Sequence, residues 1–169
     1  GKNQFLILDT MNFWMDNNLE DLNKVISKVN LISINDEEAY LLTKEKSIEN
    51  CARKIIKKGP QYVIIKKGEL GAELFSIDEK FSSPSFNVKA IDPTGAGDTF
   101  AGGLAAYLSE TKKVSFDSLK KGLVLGTILA SFTVEGLGTS SLERVLKKNI
   151  LERLEIFINK NKIDLNLSI

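Results

Sequence analysis

Residues 92–98 have the composition and spacing of a site that binds an anion. They read Asp-Pro-Thr-Gly-Ala-Gly-Asp and precede residues 100–108, whose apolar side chains recur at helical spacing. Two glycines at the start of a helix weaken it by roughly 1 kcal/mol each relative to alanine. An anion bound to the free backbone N–H groups of that helix end would offset this cost. Asp98 follows directly, and a carboxylate beside a bound phosphate is the arrangement of a phosphoryl-transfer site.

The same segment also has a purely structural interpretation, in which Asp92 is a helix N-cap and Pro93 occupies the first helical position. The full string is more specific, because it resembles the second signature of the ribokinase-like (PfkB) carbohydrate kinases. In that family the Gly-Ala-Gly-Asp turn forms an anion hole and presents the catalytic base. The resemblance therefore assigns the anion hole to Gly95, Ala96 and Gly97, and the base to Asp98.

Composition narrows the remaining chemistry. The chain has 169 residues, 43% of them hydrophobic and 27% charged, which is ordinary for one globular domain. A net charge of +1 gives no electrostatic reason to expect nucleic acid or an anionic membrane as a partner. The absence of histidine excludes Ser-His-Asp and Cys-His catalysis and His-ligated metals. The single cysteine, Cys51, suits a reducing compartment, and we expect a cytoplasmic protein.

Apolar patterning predicts alternating strands and helices. Strands are expected at residues 5–8, 31–34, 62–65, 71–77 and 81–88, and helices at 19–29, 37–42, 47–58, 97–109, 116–135 and 142–161. From Lys162 onward we expect an extended or frayed tail. Unbroken apolar strands that alternate with helices favour a mostly parallel sheet with helices on both faces. With the family resemblance, this predicts a three-layer α/β/α ribokinase-like fold.

Polar side chains cluster where the predicted strands end. Residues 9–12, 35–38 and 66–71 follow the first three strands, and residues 92–98 come next along the chain. Because ligands of such sheets gather at the carboxyl ends of the strands, these clusters are candidates for one binding edge. Each cluster taken alone is also compatible with an ordinary helix cap or turn.

Two of these clusters resemble nucleotide-binding motifs of the same family. Asn35-Asp36-Glu37-Glu38 is similar to its Asn-x-x-Glu motif, which implies that Asn35 and Glu38 organise hydrated Mg²⁺ and the triphosphate. Mg²⁺ keeps several of its waters, so one or two carboxylates suffice. Lys67-Gly68-Glu69-Leu70-Gly71 is similar to the turn that borders ATP in the family. The alternatives are a helix N-cap with first-turn acids and a plain hairpin turn.

The loop that follows the helix predicted at 116–135 resembles the adenine-side loop of the family. It contains Gly136 and Gly138, which could also be a helix C-cap and a turn. In some members this loop holds a monovalent cation together with the positions of Asp92 and Thr94. The resemblance thus implies ATP and Mg²⁺ as cofactors, with a monovalent cation as a further candidate, and a small polar alcohol such as a sugar or nucleoside as substrate.

The resemblance covers only the carboxyl-terminal half of the chain of a typical family member. We therefore expect residues 1–169 to form one domain that carries the ATP- and phosphate-binding half of a carbohydrate or nucleoside kinase. Expressed alone, this half is expected to be inactive. Its first strand would expose an edge, which favours pairing of two copies as a homodimer or in aggregates.

Two other function classes fit parts of the sequence. A non-catalytic nucleotide-binding or regulatory module would keep the phosphate cradle, but an anion at Asp98 would not help it bind phosphate. A dinucleotide-binding domain is disfavoured, because no Gly-x-Gly-x-x-Gly follows the first strand. No Gly-x-x-x-x-Gly-Lys-Ser/Thr loop is present, which excludes a P-loop kinase.

Overall fold

The computed structural model describes residues 4–165, and these contain five strands and seven α-helices. The strands are β1 (Ile7–Asp9), β2 (Leu31–Asn35), β3 (Tyr62–Lys66), β4 (Ala72–Phe75) and β5 (Lys80–Ser83). The helices are α1 (Asn12–Asn17), α2 (Leu19–Ile26), α3 (Asp36–Thr43), α4 (Ile48–Ile56), α5 (Ala96–Ser109), α6 (Phe116–Thr133) and α7 (Lys147–Asn161). Short 3₁₀ turns occupy Gly68–Leu70 and Leu142–Arg144.

The chain divides into two compact units. The first extends to Gly68 and includes Ala72–Ser82, and the second comprises Glu69–Gly71 and the chain from Ser83 onward. The first unit thus holds the sheet, except for Ser83 at the end of β5, and α1–α4, and the second holds α5–α7.

The sheet has the strand order β1-β2-β3-β4-β5. β1, β2 and β3 pair in parallel, with Asp9 opposite Ser33 and Asn35 opposite Lys66, whereas β4 runs antiparallel to β3. The predicted α/β class with a mostly parallel sheet is confirmed. The register brings the carboxyl ends of β1, β2 and β3 to one edge of the sheet. The polar clusters that follow these strands therefore lie at the same edge, as the sequence analysis expected.

Both faces of the central strands are buried. On one face, side chains from β2 and β3 join the helices in a single apolar cluster that includes Ile32, Ile34, Val63, Ile65, Ile26, Ala39, Ala52 and Ile55. On the other face, Leu31, Ser33, Ile64 and Leu74 are also completely buried. Burial on both faces explains why these strands appear in the sequence as unbroken apolar runs.

The first strand differs from its prediction. The apolar run predicts a buried strand at residues 5–8, but β1 spans Ile7–Asp9, is only half-buried and lies at the edge of the sheet. Leu6 already bonds to the neighbouring chain segment, because its carbonyl accepts the N–H groups of Asn30 and Leu31 at 3.0 and 3.1 Å. An edge position leaves one side of the strand without a partner, so apolar composition overstated its burial.

The sequence pattern does not predict α1. This helix follows β1 directly, and Met15 is its only buried side chain, while Phe13 and Trp14 are exposed and pack edge to face at 5.3 Å. With one buried position, its six residues give no apolar repeat for a periodicity argument to detect.

Several element ends also differ. The hairpin strands β4 and β5 are shorter than predicted, and Pro84, which has no N–H to donate, follows β5. α2 ends at Ile26 and α4 at Ile56, short of the predicted 29 and 58. α7 starts at Lys147 because residues 142–144 form a separate 3₁₀ turn. Residues 162–165 of the predicted tail form no helix or strand, and residues 166–169 lie outside the described residues.

In the second unit, α5 and α6 pack closely through glycines. A Cβ added to Gly126 would lie 2.6 Å from the carbonyl oxygen of Phe100, and one on Gly103 would lie 3.0 Å from the Cα of Gly126. Absent side chains therefore allow the two backbones to approach, which fixes the start of α5 relative to α6. Among residues 4–165, no helix combines the length and apolarity needed to cross a membrane.

Candidate active site

The loop before α5, residues 92–95, is shaped by a turn that Asp92 stabilises. The Asp92 carboxylate accepts the backbone N–H of Thr94 at 2.9 Å. Hydrogen bonds from the side chain and backbone of Thr94, and a weaker one from the backbone of Gly138, lower the pKa of Asp92. Asp92 therefore stays ionised and joins this loop to the Gly138 loop within the second unit.

Gly95 is the N-cap of α5 and adopts a left-handed conformation, with φ of +80°. A side chain is disfavoured in this conformation, so glycine is needed here for backbone geometry. The turn directs the chain into α5, where the Thr99 N–H donates to the Gly95 carbonyl at 2.9 Å. Backbone conformation alone therefore accounts for Gly95, the first glycine of the predicted phosphate-binding turn.

The first turn of α5 offers free donors. The N–H groups of Gly97 and Asp98 have no acceptor among residues 4–165, and they stand at the positive end of the helix dipole. The Ala96 N–H instead donates to the Pro93 carbonyl at 3.1 Å, so it is occupied in this structure. This geometry fits an anion, and the assignment of Gly95, Ala96 and Gly97 to an anion hole stays a prediction.

Asp98 is exposed in the first turn of α5. Within the described part of the chain, its carboxylate forms no hydrogen bond or ion pair. An exposed carboxylate beside unused N–H donors could accept a proton from a substrate hydroxyl, as a general base must. Its neighbour Thr99 is fixed by a 2.9 Å hydrogen bond from the hydroxyl of Thr133.

The end of α6 supports the same loop from behind. The Val134 carbonyl accepts the N–H groups of Ile91 and Asp92 at 2.7 and 3.2 Å. Beyond it, Gly138 has φ of +57°, and a Cβ there would meet no atom within 4 Å. Gly138 therefore lies beside open space, which leaves room for the predicted nucleotide or cation contact.

In the first unit, Asn35 and Glu38 form a capping box at the start of α3. The Asn35 side chain accepts the Glu38 N–H at 2.7 Å, and the Glu38 carboxylate accepts the Asn35 N–H at 3.2 Å. Asn35 is thus the N-cap of α3, which agrees with the structural alternative given for residues 35–38, a helix N-cap with acids in the first turn. A cap accounts for both residues without a ligand, so their role with Mg²⁺ stays a prediction.

Glu38 is also tied to the end of β1. The Thr10 hydroxyl donates to its carboxylate at 3.2 Å. Burial raises the pKa of Glu38, against the opposing hydrogen bonds from Asn35 and Thr10. A buried carboxylate with an elevated pKa gains from a nearby cation, which is the chemistry expected of a Mg²⁺-binding group.

Asp9 and Lys66 form an ion pair of 2.7 Å across the ends of β1 and β3, and both charges act on Glu38. The sequence placed Asp9, Thr10 and Lys66 in strand-end clusters but gave them no roles. Parallel register was the signal that linked them, because neighbouring strands end at the same edge. In residues 4–165, no three or more His, Cys, Asp or Glu side chains group as a metal site.

Lys67 does not stand free. Its ammonium group pairs with Glu73 at 2.5 Å, and Lys80 pairs with the other carboxylate oxygen of Glu73 at 2.8 Å. Burial alone would raise the pKa of Glu73, but the hydrogen bonds and charges of Lys67 and Lys80 together lower it. The sequence analysis missed Glu73 because its partners, Lys67 and Lys80, come close to it only when the β4–β5 hairpin forms. Glu73 limits how far Lys67 can move toward a ribose or phosphate.

Gly68 and Gly71 differ in what surrounds them. Gly68 has φ of +55° and open space where a Cβ would stand, so a ligand could approach it. At Gly71, a Cβ would lie 2.1 Å from the Ser83 carbonyl oxygen. Packing within the second unit therefore explains Gly71 by itself, and its predicted contact with the nucleotide remains untested.

Comparison with known proteins identifies the family. The family model for pfkB family carbohydrate kinases matches residues 5–145. The chain belongs to this family. The predicted resemblance to ribokinase-like kinases is therefore confirmed, and it extends well beyond the Asp92 to Asp98 string.

Individual relatives agree with this membership. The chain is 26% identical to inositol 3-kinase of Arabidopsis thaliana over 144 residues, 85% of this chain and 35% of that protein. The ribokinase structure of Thermotoga maritima superposes with a TM-score of 0.74 at 27% identity, covering 90% of this chain and 50% of that one. Aminoimidazole riboside kinase from Salmonella enterica, solved with aminoimidazole riboside and an ATP analogue, gives a TM-score of 0.79 at 20% identity.

These matches confirm the ribokinase-like fold. The superposed segment is 52% of the aminoimidazole riboside kinase chain, so this chain spans about half of its solved neighbours and about a third of inositol 3-kinase.

Proposed function

We propose that the protein is an ATP-dependent kinase that phosphorylates a hydroxyl of a sugar, nucleoside or related small polar substrate. The observation that carries this proposal is the start of α5, where the free N–H groups of Gly97 and Asp98 lie beside the exposed Asp98 carboxylate. Membership of the pfkB family carbohydrate kinases supports it. Relatives are named for sugar and nucleoside substrates, such as a deoxyribokinase of Salmonella typhi and a nucleoside kinase of Methanocaldococcus jannaschii.

The residues divide the chemistry as follows. When bound, MgATP supplies the transferred phosphoryl group and neutralises part of its charge. Asp98 accepts the proton of the attacking hydroxyl, while backbone N–H groups of the anion hole stabilise the charge that develops. Asn35 and Glu38 would hold the hydrated Mg²⁺. The nucleotide would be contacted by Lys67, Gly68, Gly71 and Gly138.

A monovalent cation is a further proposed cofactor. Asp92, held ionised by its hydrogen bonds, would supply the charge, and Thr94 and the Gly138 loop would supply oxygen ligands. Turnover should then rise when K⁺ replaces tetramethylammonium at constant ionic strength. Equal rates in the two salts would remove the cation from the proposal.

A direct test is ADP release from MgATP over a panel of pentoses, hexoses and nucleosides. It uses the intact protein, meaning residues 1–169 together with any further chain that is made with them. We expect release that depends on one of these substrates and is lost in the Asp98→Asn variant. Binding of MgATP in calorimetry without turnover on any panel member would instead favour the non-catalytic nucleotide-binding module. Retention of Asp98 in an exposed position beside the anion hole favours the kinase.

We further propose that residues 1–169 alone do not turn over, because they span only part of the catalytic relatives. β1 lies at the edge of the sheet, so we expect this polypeptide to self-associate, as a homodimer or in larger particles. Light scattering beside the ADP-release assay tests both points. Turnover by a monodisperse monomer would contradict them. A cytoplasmic location is proposed on the single buried thiol of Cys51.

A further inference from the structure

Arg153 of α7 is a largely buried cation outside the proposed chemistry. Its side chain is 16% exposed, and its Nη2 lies 2.8 Å from the Glu135 carboxylate. Its Nη1 donates to the Ser131 hydroxyl at 2.9 Å. Ser131 lies in the last turn of α6, and Glu135 lies two residues beyond the end of that helix. One guanidinium group therefore attaches α7 at two points to the segment 131–135.

Two aromatic rings complete the environment of Arg153. Its guanidinium carbon lies 3.6 Å from the centre of the Phe132 ring and 4.9 Å from that of Phe86. A planar guanidinium can stack on a ring while its edge donates hydrogen bonds, whereas an ammonium group cannot do both in the same way. The position is therefore specific for arginine in shape as well as charge.

The segment 131–135, the last turn of α6 with the two residues after it, also contacts the candidate site through Thr133 and Val134. Thr133 donates its hydroxyl to Thr99, the neighbour of Asp98, at 2.9 Å. The Val134 carbonyl accepts the N–H groups of Ile91 and Asp92. Arg153 thus contacts Ser131, Phe132 and Glu135, which flank Thr133 and Val134. These last two residues support the anion-hole loop, residues 91–98.

We propose that Arg153 is a positioning residue for the anion-hole loop, acting through the segment 131–135. It fixes Thr133 and Val134. Thr133 in turn fixes Thr99, which directly follows the loop, and Val134 fixes Asp92 near its start. The catalytic consequence rests on the proposed kinase function, whereas the structural link does not. An error of about 1 Å in a catalytic group can lower a rate by roughly 100-fold, so a loosened turn should reach the chemistry.

The test compares Arg153→Lys with Arg53→Lys in the intact protein. Arg53 is a matched control, because it also pairs with a glutamate, Glu49 at 2.7 Å, but its side chain is 70% exposed. Hydrogen–deuterium exchange would be measured on peptides covering residues 91–98. We expect Arg153→Lys to speed exchange there by roughly tenfold, with global stability changed little, and Arg53→Lys to leave it unchanged.

Steady-state kinetics supply the second measurement. In an active preparation, Arg153→Lys should lower kcat by roughly tenfold with KM for MgATP changed less than about twofold, since positioning acts mainly on the transition state. Glu135→Gln keeps a hydrogen-bond acceptor for Arg153 and removes only the charge. Its kcat should therefore lie between those of the wild type and Arg153→Lys. This milder variant keeps the test informative if Arg153→Lys folds poorly.

Two results would overturn the proposal. One is unchanged exchange at residues 91–98 in both Arg153→Lys and Glu135→Gln. The other is an exchange rate that rises evenly over α6, α7 and the loop as global stability is lost. The exchange measurement needs no substrate. Faster local exchange in a protein that phosphorylates nothing would therefore retain the structural link and reject the kinase function. Normal kcat in a folded Arg153→Lys enzyme would reject the positioning role alone.

Discussion

Thr10 donates its hydroxyl to the Glu38 carboxylate at 3.2 Å, which links the end of β1 to the first turn of α3. The same carboxylate oxygen accepts the Asn35 N–H, so it serves two donors at the carboxyl edge of the sheet. Burial nevertheless raises the pKa of Glu38. The ionised group is thus held in place by donors that do not fully replace its lost hydration.

The elevated pKa predicts how stability depends on pH. A carboxyl whose pKa is raised by folding binds more protons in the native state, so stability is greatest below its unfolded value and falls as pH rises through its folded value. Glu38→Gln keeps an acceptor for Thr10 and Asn35 without this charge. We expect its melting temperature to exceed that of the wild type increasingly from pH 4 to pH 7.

Thermal unfolding over this pH range, without added metal, provides the measurement for Glu38→Gln. Glu37→Gln is the control, because Glu37 lies in the same first turn but is exposed. If Mg²⁺ binds at Glu38, added Mg²⁺ should also stabilise the wild type more than Glu38→Gln. A pH-independent difference between the two proteins would contradict the burial of an ionised Glu38.

Asp98→Asn tests the general base. In the intact protein we expect kcat to fall on the order of 100-fold or more while MgATP affinity stays nearly constant, because a proton acceptor is lost and not a phosphate contact. Asp117→Asn is a matched control, since Asp117 is another acid in the first turn of a helix of the second unit. Near-full kcat in Asp98→Asn would exclude it as the base.

Gly97→Val tests the anion hole. A β-branched side chain beside the free N–H groups should crowd a bound phosphate and weaken MgATP binding in calorimetry. Gly102→Ala is the control, because Gly102 lies in the same helix and a Cβ there meets no atom within 4 Å. The control should gain roughly 0.5–1 kcal/mol of stability from helix propensity and keep its affinity. Unchanged affinity in a folded Gly97→Val would assign that glycine to packing.

The sequence was informative where a local pattern decides structure. The buried strands β2 and β3, the helix cap in the 35–38 cluster, and the glycine turn before α5 follow from apolar runs and capping residues within a few positions. The strand-end clusters added one long-range inference, because parallel strands bring their carboxyl ends to one edge.

Contacts between distant residues could not be derived in the same way. Arg153 meets Ser131 and Glu135 from 22 and 18 positions away, and Thr10 meets Glu38 from 28. These pairs depend on packing and register, which side-chain periodicity does not encode. Glu73 was missed for a related reason, since its two lysines come together only once the hairpin register is known.

Gly68 and Gly71 allow a final test that separates backbone strain from packing. Both have positive φ, at +55° and +90°, but only Gly71 is crowded, because a Cβ added there would lie 2.1 Å from the Ser83 carbonyl oxygen and 2.7 Å from the Pro84 Cα. Gly68→Ala should therefore cost about 1 kcal/mol for its left-handed conformation. Gly71→Ala should cost about 2–5 kcal/mol, because strain and overpacking add.

Urea unfolding of the two alanine variants measures this difference, and calorimetry with MgATP separates it from a role in binding. Packing at Gly71 predicts a large loss of stability in Gly71→Ala. MgATP affinity retained at temperatures where this variant is folded would remove Gly71 from the proposed nucleotide contacts. Open space at Gly68 predicts the reverse, a small stability change with weaker MgATP binding if the nucleotide approaches that turn. Equal destabilisation by the two substitutions would show that the Ser83–Pro84 backbone moves to admit a methyl group at Gly71.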